Sequence, residues 1–201
     1  MRKTLTYVVA IATLFVLSCH KKNDASPGDS SSLVGKYTFL YLSAATQSTS
    51  SESAAGQSIK TVTYTNYKTT DNTGTVTFTK DSAATSNLGY TASTNAIGYI
   101  YENNVLTDSI EMPFDEVIPP TSTITKYDVF GKDSIFFHQS LMSGLSTGTT
   151  ATYPSGGRFS FKGDTLFITM KLSQNLPNQN QGGVTISTSV AINGTIAMKK
   201  Q

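Results

Sequence analysis

From Leu33 onward, apolar and polar residues alternate in short runs separated by turn-forming residues. That period of two is the pattern of half-buried β-strands. In residues 35–42, Tyr37, Phe39 and Tyr41 fall on one face at this spacing. Residues 59–68 place Val62 and Tyr64 together. A turn at Asp71-Asn72-Thr73-Gly74, then strict alternation through residues 75–79, predicts a hairpin with a longer, glycine-containing loop. Residues 88–91 and 97–101 continue the texture, Tyr99 and Tyr101 sharing a face, and Asn103-Asn104 is expected to turn the chain into residues 105–112. The stretch 113–122, with Pro119-Pro120, reads as a loop. Two further hairpins are predicted, 124–138 around Gly131-Lys132-Asp133 and 158–172 around Lys162-Gly163-Asp164. Polar loops are expected at 142–157 and 173–183, and residues 184–199 close the chain. There Asn193-Gly194 fits either a two-residue turn or a bulge, and one long strand is the favoured reading. About ten strands and no amphipathic helix suit an all-β, antiparallel up-and-down barrel of about 8–10 strands, with a β-sandwich as the alternative.

The first 18 residues follow a different pattern. Arg2 and Lys3 precede 13 uncharged, mostly apolar residues from Leu5 to Leu17. That run suits a signal-peptide core and falls short of the roughly 20 residues of a permanent membrane helix. It ends Val16-Leu17-Ser18-Cys19, a small residue at −1 and an apolar one at −3 before the chain's single cysteine. This resembles a bacterial lipoprotein box, although Leu17 at −2 is looser than the commonest pattern. The resemblance implies cleavage before Cys19 and fatty-acyl (palmitate-type) modification of its thiol and new amine, hence an outer-membrane anchor. The following His20-Lys21-Lys22-Asn23-Asp24 is similar to lipoprotein starts of the Bacteroidota; with one Asp it leaves open the periplasmic side or the cell surface. The organisation expected is a signal peptide at 1–18, an acylated Cys19 with a polar Pro/Gly-containing tether at 19–32, and one domain at 33–201.

Composition narrows the function classes. Fifteen basic and 13 acidic residues become 13 and 13 once Arg2 and Lys3 are removed, so no nucleic-acid partner is implied. One cysteine excludes a disulfide framework within the chain and any multi-cysteine metal site. Serine and threonine number 56 of 201, which favours strands with hydroxyls on the wet face.

Residues 33–201, opening with Gly35-Lys36-Tyr37 and closing with Gly194-Thr195-Ile196-Ala197-Met198-Lys199-Lys200, look like the lipocalin-like domains of Bacteroidota lipoproteins. Tyr37 stands where the eukaryotic pattern has Trp. The resemblance implies a calycin-type barrel and a small apolar or amphipathic ligand held non-covalently; the aromatic stripe of Tyr37, Phe39, Tyr41, Tyr99 and Tyr101 supplies the candidate ligand-binding residues, with plain core packing as the other reading of the same stripe. The alternative is a non-enzymatic accessory module, its core filled, contacting a glycan or a protein through loops 142–157 and 173–183. A monomer is the favoured state.

No phosphate loop, dinucleotide fingerprint or nucleophile elbow occurs, so no catalytic residue, cofactor or metal is assigned. His138 reads as a surface-facing or hydrogen-bonded strand residue. The cluster Glu111, Asp115 and Glu116 reads as a solvated loop rather than a cation site. Four Asp-Ser/Thr-apolar triplets mark Ser82, Ser109, Ser134 and Thr165 as candidate O-glycosylation sites, resembling those of exported Bacteroidota proteins. Asp in turns followed by strand starts explains the same triplets.

Overall fold

The computed structural model describes residues 28–54, 56–141, 155–181 and 183–201. The proposed signal peptide, Cys19, the tether up to residue 27 and most of loop 142–157 lie outside the described residues.

Eleven strands form one antiparallel sheet: β1 (Gly35–Ala54), β2 (Gln57–Lys68), β3 (Thr70–Phe78), β4 (Ser82–Glu102), β5 (Val105–Thr121), β6 (Ile124–Phe130), β7 (Ser134–Phe137), β8 (Ser155–Lys162), β9 (Thr165–Asn175), β10 (Gln179–Gln181) and β11 (Val184–Lys200). Several are segments of longer staves. β2 and β3 run in the same direction, both against β1. β5 and β6 both run against β4, and β9 and β10 both against β11. The staves β1, β2–β3, β4, β5–β6, β7, β8, β9–β10 and β11 therefore follow one another up and down in chain order, and β11 returns to pair with β1. The ring closes an antiparallel barrel and removes the free edges that an open sheet would carry.

Closure is confined to one end, called here the base. β7 has four residues and β8 eight, against 20 for β1 and 21 for β4. Beyond them the long strands continue as an open sheet in the order β5-β4-β2-β1-β11, with the end of β9 and then β10 along the far side of β11, a trough above the barrel. A 3₁₀ turn at Ser30–Ser32 and the buried Leu33 plug the base, where Gly28 N–H donates to Val129 O at 2.7 Å. Ser30 hydroxyl donates to Lys80 O at 2.8 Å beside it.

The base is filled. Phe78 meets Tyr37 edge-on at 5.7 Å and Tyr127 at 5.5 Å, and Phe137 tilts against it at 6.5 Å. Leu42, Leu166, Ile168, Ile196 and Met198 complete the interior with essentially no exposure. Both tyrosine hydroxyls are satisfied, Tyr37 donating to Leu33 O at 2.9 Å and Tyr127 to Thr79 O at 2.6 Å, which is what makes burial of these rings affordable.

Several expectations change. The Asp71–Gly74 turn does not reverse the chain. Six residues (69–74) stand opposite four on β1 (39–42), so the turn residues form a bulge that bends one stave. Thr69 hydroxyl accepts from Leu42 N at 2.9 Å and donates to Asn72 Oδ1 at 2.6 Å, locking the bend. Gly74 has φ +96, and a Cβ there would lie 2.5 Å from Asn87 O. The proline stretch 113–122 is not a loop: β5 runs through Pro113, Pro119 and Pro120 to Thr121, as proline allows in an edge strand. The expected loop 173–183 is mostly strand, β9 extending to Asn175 and β10 following. Residues 88–91 and 97–101 belong to the single strand β4. Asn103 and Asn104, at φ +49 and +67, make the predicted turn, and Asn193-Gly194 lies inside one continuous β11.

Replacement of Phe78 by Ala would empty the centre of the aromatic cluster. It should cost about 3–5 kcal/mol in urea or thermal unfolding, with the far-ultraviolet β signal retained at low temperature.

Candidate functional site

Alternation along each strand decides which predicted ligand residues share a site. Tyr37 and Phe39 point inward and are buried in the filled base (0% and 2% exposed). Between Phe39 and Tyr41 the register on β11 slips, Phe39 opposing Met198 and Tyr41 opposing Ala197. This bulge puts Leu42 inside and turns Tyr41 outward, where Lys68 Nζ lies 3.9 Å from its ring centroid. On β4 the inward residues are Tyr90, Ala92 and Ala96, so Tyr99 and Tyr101 face out. Tyr99 meets the exposed Tyr64 edge-on at 6.0 Å, and Lys60 sits 4.6 Å over Tyr101. The five predicted residues thus do not line one pocket: two are core and three are outer surface. Period two failed because one bulge reverses parity on β1 and because the inner face of β4 is carried by residues 90–96.

The residues that do converge lie where the trough opens above the filled base. Tyr67 from β2, Tyr90 from β4 and Phe114 from β5 face inward at neighbouring positions, with Tyr67 stacked on Phe114 at 5.7 Å and 26°. Phe39 tilts against Tyr90 at 6.2 Å from below. Ile118 of β5, Leu172 of β9 and Val190 of β11 continue this apolar ledge, half-buried and packed on the core. Glu116 shares the inner face of β5, opposite the buried Ala92. Burial pushes its carboxyl above the ordinary 4.5. The Tyr67 hydroxyl is pushed up by burial and secondarily by the Glu116 charge; that of Tyr90 is pushed up further, by burial and then by Tyr67 and Glu116. Higher in the trough the inward positions of β1 and β2 are hydroxyls: Thr46 bonded to Thr65, Ser48 opposite Thr63, and Ser50 opposite Thr61. The arrangement offers an apolar shelf, one acidic group beside two phenols, and a hydroxyl band above. It can hold an amphipathic molecule; it presents no nucleophile–base pair.

The acidic cluster dissolves in the fold. Asp115 faces outward and accepts from the Ser93 hydroxyl, and Glu111 accepts from Asn95 Nδ2 at 2.7 Å. Glu116 alone turns inward, so the reading of all three as a solvated loop is corrected: they lie on opposite faces of β5. No group of three or more His, Cys, Asp or Glu side chains suited to a metal gathers among the described residues.

His138 follows β7 and pairs with Asp128 at 2.8 Å, each side chain about half exposed (50% and 54%). It borders an open groove of about 540 Å³ with Asp81, Ser82, Ile124, Thr125, Lys126 and Gln139. Ser82 hydroxyl is engaged by Thr79 at 2.7 Å. An exposed imidazole–carboxylate pair of this kind is an ordinary surface interaction, worth at most about 1 kcal/mol.

Three of the four Asp-Ser/Thr triplets open strands at the base: Ser82 starts β4, Ser134 starts β7 and Thr165 starts β9. Their aspartates lie in the preceding turns, as the turn-chemistry explanation requires. Ser109 lies inside β5 and is exposed. Cys19 lies outside the described residues.

Comparisons with protein-family models, with curated proteins and with solved structures find no match to this chain.

A carboxyl whose folded pKa is raised holds its proton more tightly folded than unfolded. Ionised Glu116 therefore subtracts stability: the loss is absent below the ordinary value of 4.5, grows as pH rises above it and is complete once pH passes the raised folded pKa. Glu116→Gln should raise the melting temperature at pH 7, and the difference from the parent should shrink on acidification towards pH 4, read by calorimetry.

Proposed function

We propose that this protein is a non-enzymatic, lipid-anchored lipoprotein of the outer membrane whose lipocalin-like barrel carries a small amphipathic ligand in the trough. The observation that carries the reading is the half-buried apolar ledge of Phe114, Ile118, Leu172 and Val190 lying open above a solidly packed base. Hydrophobic side chains left half-exposed on a concave face gain about 25 cal/mol for each Å² that a ligand covers. The up-and-down strand order, closed by β11 on β1, supports the lipocalin-like resemblance. The anchor rests on the lipoprotein box before Cys19. A single acyl chain binds membranes marginally, and the several chains the resemblance implies hold firmly.

In this reading Tyr37 and Phe39 support the ledge from below, while Tyr41, Tyr99 and Tyr101 take no part. Native mass spectrometry of tag-free residues 20–201, before and after incubation with a lipid extract, should show a reproducible bound mass. The double substitution Phe114→Ala and Leu172→Ala should remove it, and Tyr99→Ala with Tyr101→Ala should leave it. A clean apo mass throughout, or loss only with the outer tyrosines, overturns the carrier reading. The first outcome favours the accessory-module alternative acting through segments 142–157 and 173–183, and the second places the bound molecule at the outward Tyr64–Tyr99 pair instead of the trough. Acylation is read separately: full-length protein from a lipoprotein-processing host should carry a fatty-acyl mass that Cys19→Ala abolishes.

A further inference from the structure

The two ends of the molecule carry opposite charge. The base gathers Lys36, Lys80, Lys132, Lys162 and Lys200, all exposed, at strand ends and turns. Among the basal carboxylates, Asp133 is met by Arg158 at 3.4 Å, Asp164 by Lys199 at 3.7 Å and Asp128 by His138 at 2.8 Å, while Asp81, beside Lys80, accepts from the Thr79 hydroxyl at 3.2 Å. Asp29 accepts from the backbone and hydroxyl of Ser31. The five lysines have no ion pair among the described residues. The trough end is acidic, with Glu52, Glu102, Asp108, Glu111, Asp115 and Glu116 on strands β1, β4 and β5. Its lysines, Lys60, Lys68 and Lys171, are fewer.

Exposed apolar side chains sit among the basal lysines. Val34 is 41% exposed just before β1, Phe130 37% exposed beside the Lys132 turn, and Phe161 41% exposed next to Lys162. Apolar rings flanked by ammonium groups match a headgroup layer, in which the rings enter the interface and the cations meet phosphate. The chain also leaves the described structure at this end: Gly28 is bonded to Val129, next to the Gly131 turn. The nine residues from 19 to 27 span at most about 30 Å.

We propose that the base of the barrel is a docking surface for an anionic lipid headgroup layer, which seats the domain with its trough turned away from the membrane. The orientation rests on the anchored reading above; the surface itself is read from the folded domain alone. Phosphates attract the basal lysines within about a Debye length, and the acidic rim of the trough is repelled.

The test uses unacylated residues 20–201, which contain the whole described core, so that no acyl chain contributes. Co-sedimentation is measured with phosphatidylcholine vesicles, with and without about a third phosphatidylglycerol, at about 0.1 M salt. Uptake is expected with the anionic vesicles only, falling as salt is raised. Lys80→Glu with Lys132→Glu and Lys162→Glu, all on exposed turns, should lower the partition coefficient more than tenfold, at about fivefold per lysine. Lys60→Glu with Lys171→Glu should leave it unchanged, and circular dichroism checks that both variants fold. Equal uptake by the two vesicle types, uptake by neither, or equal sensitivity to the two variant sets overturns the proposal. Because acylation at Cys19 and ligand retention are read by mass, a failure here leaves those readings standing, and their failure leaves this one.

Discussion

A ring of strands can close only as high as its shortest member reaches, and β7 contributes four residues. Below that height every stave has two hydrogen-bonded neighbours, and the interior fills with Tyr37, Phe78, Tyr127, Phe137 and the aliphatics around them. Above it the outermost strands, β5 on one side and β9–β10 on the other, lack a neighbour on one flank, and the long strands between them form a trough. Two irregularities manage the transition. The bulge at residues 69–74 bends the β2–β3 stave, and residues 122–123 break β5 from β6 where Thr85 N–H donates to Thr123 O and Thr123 N–H to the Thr85 hydroxyl, both at 2.8 Å. Bulges strengthen local twist, which lets one strand serve a closed ring at one end and an open sheet at the other. The position of the candidate site follows from this geometry: it lies at the height where side chains still pack on a core beneath them but lose the opposite wall.

An open sheet carries a liability that the barrel avoids. Among the described residues β5 pairs only with β4, so its other flank is a row of backbone groups available to another strand. Three features blunt it. Pro113, Pro119 and Pro120 remove backbone donors, Asp108, Glu111, Asp115 and Glu116 load the strand with one sign of charge, and no Lys or Arg lies between Glu102 and Lys126. Two copies meeting edge to edge would bring like charges together. The same prolines that make the segment look like a loop are what make an exposed strand of 17 residues tolerable.

The class of fold was legible because alternation is a local property. Val76 and Phe78 alternate with threonines and are buried, and Asn103-Asn104 turns the chain where a paired positive φ is needed. Register was not legible. A single slip opposite Ala197 sends Tyr41 to the outer face, and nothing in residues 35–42 announces it, since the slip is settled by pairing with residues more than 150 positions away. The turn at Asp71–Gly74 carried a real signal read with the wrong consequence: Asp, Asn and Gly supply positive φ equally to a reversal and to a bulge. Tyr67, Tyr90, Phe114 and Glu116 come from three strands, and no spacing within any one of them points to the others. Glu116 stood in a cluster with Asp115 that looked solvated. Only the pleat, which sends adjacent side chains to opposite faces, separates the two.

On the carrier reading proposed above, that separation also constrains what the trough would accept. Glu116 already sits in surroundings that disfavour its charge, beside two phenols whose own ionisation is pushed up, that of Tyr90 the further. A molecule seated on Phe114, Leu172 and Val190 would strip further water from this carboxyl. If the guest bore a carboxylate or phosphate at that point, two like charges would share one desolvated wall, with the acidic rim of β5 adding to the repulsion. A neutral polar head can instead exchange hydrogen bonds with Glu116 and the Thr/Ser band, and a cationic one would restore the ionised form at less cost. On the carrier reading, the chemistry of the wall would therefore favour an uncharged or positively charged amphiphile over a fatty acid. It does so through the same burial that makes Glu116 a small burden on the empty fold.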